Sequence, residues 1–97
     1  MMAFTNIDVI DTENVTYTVA NAEDMFRLGL IYSTKAPGRG PNFIEAHKWF
    51  SLSASLGNIP SKAYREELRT EMNAQDLTQA QRAARTWMAE HQARLAA

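Results

Sequence analysis

Asn21–Asn58 reads NAEDMFRLGLIYSTKAPGRGPNFIEAHKWFSLSASLGN, two helix-like runs joined by a loop of glycine and proline. In the first run Met25, Leu28 and Tyr32 form one stripe at helical spacing, and Phe26, Leu30 and Ser33 form the next. The second run repeats the arrangement, with Phe43, Ala46, Phe50 and Ser53 beside Trp49, Leu52 and Leu56. Apolar arcs this wide require burial on two sides rather than one. Gly29 interrupts the first run at a cost of about 1 kcal/mol relative to alanine, which is reasonable where another helix crosses closely. Asn21 with Asp24, and Asn42 with Glu45, have the spacing of reciprocal capping boxes, and Gly57 stands where a left-handed residue ends a helix.

Outward from this hairpin, Asn58-Ile59-Pro60 opens a third run with proline in its tolerated first turn. Tyr64, Leu68 and Met72 recur there every fourth position, while Lys62, Arg65, Glu66 and Arg69 form a solvated face. Asn73 and Asp76 begin a last run whose buried stripe is Leu77, Ala80, Ala84, Trp87, Met88 and Leu95. The pattern therefore predicts helices over about 21–34, 42–56, 60–72 and 74–94. Residues 1–20 differ: they hold Asp8, Asp11 and Glu13, no lysine or arginine, and one short β-like alternation at Val15, Tyr17 and Val19. Two readings stand for this stretch, a flexible or extended arm whose end packs on the first helix, and an arm that docks on a second copy.

Composition narrows the function classes. Ninety-seven residues suit one domain of modest core, and a net charge of −1 argues against partners held by bulk charge, such as nucleic acid or an anionic membrane. The absence of cysteine removes disulfides, thiolate catalysis and thiolate metal sites. No stretch approaches the roughly 18 apolar residues of a membrane span. The opening MMAFTNIDVIDTEN lacks the basic start of a signal peptide, so the expectation is a cytoplasmic protein.

Several chemical constellations fail on spacing. The Gly38-Arg39-Gly40 loop lacks the preceding strand and the Lys-Ser/Thr of a phosphate cradle. His47 and His91 lie on different helices without a ligand motif, and a structural role suits both. Ser51, Ser53 and Ser55 have no nucleophile elbow. Glu66, Glu67 and Glu71 interleave with Arg65 and Arg69 at ion-pair spacings. Arg82, Arg85 and Arg94 fall on a polar face, whereas Trp87 falls in the buried stripe and is not offered for base stacking.

The hairpin resembles a Sel1-like repeat, a relative of the tetratricopeptide repeat. The residues that carry the likeness are Leu28, Gly29, Tyr32, Gly38, Gly40, Ala46, Trp49, Phe50, Ala54 and Gly57. A second repeat is degenerate, since charged residues around Arg65 to Leu68 replace its Leu-Gly, and Met72 to Trp87 looks like the closing tail of single-hairpin bacterial members. The resemblance implies an all-α fold: two antiparallel helix hairpins in a right-handed α/α superhelix, preceded by an irregular N-terminal arm. It also implies protein–protein contact, without a shared catalytic residue set and without cofactor or metal.

The expected function is thus an interaction module for an unknown protein or peptide, not an enzyme. Its candidate partner-binding residues are Phe26, Arg27, Leu30 and Ile31 on the first helix, unless residues 1–20 of the same molecule cover them. The alternative is a homo-oligomer, such as a homodimer, built through the arm or an open helical face. A small-molecule or enzymatic role is a third reading, for which no convergent set of polar residues stands out.

Overall fold

The computed structural model describes residues 21–96, with side chains described as far as His91. The readings for residues 1–20, and Leu95 in the last stripe, lie outside it. The described residues form four helices and no strand: α1 Ala22–Ser33, α2 Phe43–Ser55, α3 Ile59–Arg69 and α4 Ala74–Ala96.

Asparagine starts every one of them. The Oδ1 atoms of Asn21, Asn42, Asn58 and Asn73 accept from the amides of Asp24, Glu45, Ser61 and Asp76 at 2.8, 3.1, 2.8 and 2.7 Å. Each bond satisfies an amide that no earlier carbonyl in the helix can reach. The reciprocal half of the capping boxes has other employment in the first two helices. Asp24 turns to Arg27, 3.6 Å away, and Glu45 turns to Lys48 and to the indole of Trp49. In each case a side chain on the next turn, a cation or an indole N–H, takes the carboxylate in place of the N-cap amide.

Connections between α1 and α2 define their relative direction. Pro37 and Gly38 (φ 76°) make a tight turn in which Ala36 and Arg39 exchange two backbone hydrogen bonds of 2.9 Å. Just beyond it, the Asn42 amide donates to the Tyr32 carbonyl at 2.7 Å, joining the end of α1 to the start of α2. At the opposite pole, the buried Ser53 hydroxyl donates to the Ala22 carbonyl at 2.6 Å, joining the end of α2 to the start of α1. The pair is therefore antiparallel.

Gly57 (φ 102°) ends α2 in the left-handed region. The amides of Asn58 and Gly57 fold back to the carbonyls of Ser53 and Ala54, the double bond pattern of a Schellman stop. α3 stops at Arg69, short of the expected Met72. Thr70, Glu71 and Met72 donate instead to carbonyls three residues back, a tighter and less extensible turn.

α2 is the shared wall of the domain, and α1, α3 and α4 all pack chiefly against it. This is why Ala46, His47, Lys48, Trp49 and Phe50 are buried in unbroken succession, with Leu52 and Ser53 beyond them. No single face of a helix could do that. One side carries the core of Met25, Leu28, Trp49, Leu52 and Trp87, with Ile31, Tyr32, Ala84 and Met88 around it. The two indoles meet edge to face at 5.7 Å. Gly29 is where α1 crosses the Phe50 ring, and a Cβ there would collide with ring carbons Cδ1 and Cε1. Leu56, expected in a buried stripe, is instead 50% exposed, because Gly57 turns the chain away before a neighbour can cover it.

Candidate functional site: an aromatic cleft between three helices

On the other side of α2, three rings from three helices come together. Phe26 of α1 lies 6.0 Å from Phe50 and 5.5 Å from Tyr64, and Phe50 and Tyr64 stack at 5.5 Å with 22° between planes. Phe50 is fully buried, Phe26 is half-buried and Tyr64 remains 44% exposed. A cleft of about 290 Å³ opens beside this cluster, with Phe43, Phe50, Tyr64 and Leu68 along its apolar wall. Glu67 and Glu71 stand at its rim, and the last residue of α1, Ser33, closes one end.

The charges on α3 are unevenly distributed. Arg69 and Arg65 both reach Glu66, at 3.0 and 3.5 Å. The Arg69 hydrogen bond, foremost, holds the Glu66 carboxyl below its usual range. Glu67 and Glu71, expected to share these cations, have no ion pair among the described residues.

The four first-helix candidates do not converge on one surface. Phe26 enters the aromatic cluster, while Ile31 packs against the tryptophan core on the other side. Arg27 pairs with Asp24 and Glu23, and the Leu30 carbonyl accepts from the hydroxyls of Ser33 and Thr34. Five positions on a helix amount to about 140° of rotation, which separates Phe26 from Ile31. None of the four lines the cleft. The residues that do line it carried one faint signal in sequence: Glu67 and Glu71 repeat at i, i+4, where like charges repel.

A second cleft, of about 410 Å³, runs between α2 and α4 past Lys48, Arg82, Trp87 and Glu90. Two cations and one carboxylate line it, and one of the cations is already paired. Lys48, largely buried, holds Glu45 at 3.1 Å and lies 4.5 Å from the centre of the Trp49 ring, a cation–π contact. Arg82 and Glu90 bring opposite signs to the rim.

His47 Nδ1 meets the Ser51 hydroxyl at 3.3 Å, and its buried Nε2 has no hydrogen-bond partner among the described residues, so none of them orients the pair as a third group would. Burial, followed by the Arg65 and Arg69 charges, holds the His47 imidazole below its ordinary range, with Glu66 opposing. His91 stacks on Trp87 at 4.7 Å. Among the described residues, no three His, Asp or Glu side chains gather as a metal site, and no helix is long and apolar enough to cross a membrane. Comparison of the chain with models of known families, with curated proteins and with solved structures finds no match.

Proposed function

We propose that this chain is a protein-interaction module of Sel1-like, tetratricopeptide-related design, two antiparallel hairpins in a right-handed superhelix that bind a peptide or protein without catalysis. The observation that carries the reading is the half-open aromatic cluster of Phe26, Phe50 and Tyr64 beside its cleft. Aromatic rings supply much contact area for little loss of conformational freedom, which suits a recognition surface. Supporting the repeat design, Gly29 admits the Phe50 ring and Gly57 stops α2 so that α3 can fold back on it, both at positions of the family pattern.

The test is selection of displayed random peptides against the full chain, repeated with Tyr64→Ala. Enriched sequences that lose binding to the variant are expected. Failure to enrich any sequence, or equal binding to the variant, would remove this surface as the binding site.

A homo-oligomer is the second reading, favoured by Leu56 and Ile59, which flank the Gly57-Asn58 turn at 50% and 82% exposure. Light scattering on the full chain separates the two. A mass of 10.9 kDa excludes self-assembly, and a multiple of it that Ile59→Glu abolishes would establish it.

A further inference from the structure

We infer that the cleft between α1, α2 and α3 is a socket for a basic side chain, lysine or arginine, presented by a protein partner. This rests on the interaction-module reading and adds the partner's chemistry. The charge-bearing residues of the lining have one sign, Glu67 and Glu71, with no lysine or arginine among them. The nearest cations on the same helix, Arg65 and Arg69, are already turned to Glu66.

Helix physics places these carboxylates where they are least welcome. Glu71 follows the C-terminal end of α3, the negative pole of that helix, where a cation is the stabilising residue. Ser33, the last residue of α1, lines the same cleft, but the carbonyls at that helix end are already met, Ile31 by the Arg39 guanidinium and Tyr32 by the Asn42 amide, so the negative pole that counts is that of α3. The start of α2 at Phe43 works in the opposite sense, with one of its free amides taken by Asn42. The partly exposed rings of Phe43 and Tyr64 add aromatic wall for a cation to lie against and for its aliphatic stem to cover, with the buried Phe50 ring behind them. A local conflict of charge that no ion pair among the described residues relieves is what a binding site for the opposite charge looks like before it is filled. Residues 1–20 contain neither lysine nor arginine, so they do not supply that side chain.

The experiment is an NMR titration of the full chain with acetyl-Gly-Arg-Gly-amide and acetyl-Gly-Lys-Gly-amide. The neutral isostere acetyl-Gly-citrulline-Gly-amide serves as control. Saturable shifts at Phe43, Tyr64 and Leu68 are expected with at least one of the cationic peptides and not with citrulline. In E67Q/E71Q, two exposed positions where the fold is not at stake, affinity should fall roughly tenfold or more. No saturable shift at these residues, equal shifts with citrulline, or undiminished binding to E67Q/E71Q would each overturn the inference. Selected peptides that require Tyr64 but carry no basic residue would sink this inference and leave the module standing. Cationic shifts at the cleft without any selected peptide would do the reverse.

Discussion

On one side of α2, Trp49 and Leu52 are closed in by Trp87 of α4 and by Met25 and Leu28 of α1. On the other, Phe50 meets Phe26 and a Tyr64 ring that is still 44% exposed. Both sides are aromatic, and they differ in what lies outside the rings. α4 brings a second indole down onto Trp49, whereas α3 brings the charged row of Arg65, Glu66 and Arg69 and leaves a gap beside Tyr64. The lesson is a division of labour along a single helix. Burial of each large side chain stabilises a fold by about 1.5–3 kcal/mol, so the closed side carries more of the domain's stability, and under the proposed reading the open side keeps contact area for a partner.

The comparison breaks first at Trp49. Trp49→Ala should cost about 3–5 kcal/mol in urea denaturation, the usual penalty for emptying a core of a large aromatic ring. Gly29→Ala should cost about 1–3 kcal/mol despite a helix-propensity gain of up to about 1 kcal/mol, because Phe50 must give way to the new Cβ. A gain in stability for that variant would mean the α1–α2 crossing is looser than described. Gly29→Leu should be worse by the same logic. Tyr64→Ala should lower stability by about 1–3 kcal/mol, two aromatic contacts at about 0.5–1.5 kcal/mol each. A loss equal to that of Trp49→Ala would erase the distinction between the two sides.

The smallest effect concerns pH. His47 has a folded-state pKa below its ordinary value through burial and the neighbouring arginines. Below the unfolded pKa of about 6.5, the unfolded chain therefore binds a proton that the folded chain refuses. Stability from this group is full above that value and declines as pH falls toward the folded pKa. Denaturation midpoints measured between about pH 7.5 and about pH 5 should show the decline, and His47→Gln should flatten it. An unchanged slope in the variant would assign the pH dependence to another group.

Much of the helical plan was legible because its signals are local. An asparagine cap needs only the amide three residues on, and Asn21, Asn42, Asn58 and Asn73 each find it. Gly57 needs only its own backbone to end α2. The carboxylates of Asp24 and Glu45 depart from the capping-box pattern for the opposite reason, since each has a choice of partners and takes the side chain one turn on. Phe26, Arg27, Leu30 and Ile31 illustrate the harder limit. They share a helix, but which face meets α3 and which meets the tryptophan core depends on how the other helices arrive.

By itself, then, the sequence determined where the helices start and that Gly57 ends α2, though not that α3 would stop at Arg69, and it showed that α2 would be buried on more than one side and that Gly29 marks a close crossing. These follow from hydrogen bonds and periodicities that span a few residues. Only the tertiary structure decided that Lys48 is enclosed with Glu45 and Trp49, that Leu56 stays outside, and that Arg65 and Arg69 both turn to Glu66. Each of those outcomes is a competition among neighbours, and packing selects the winner by bringing particular side chains within reach.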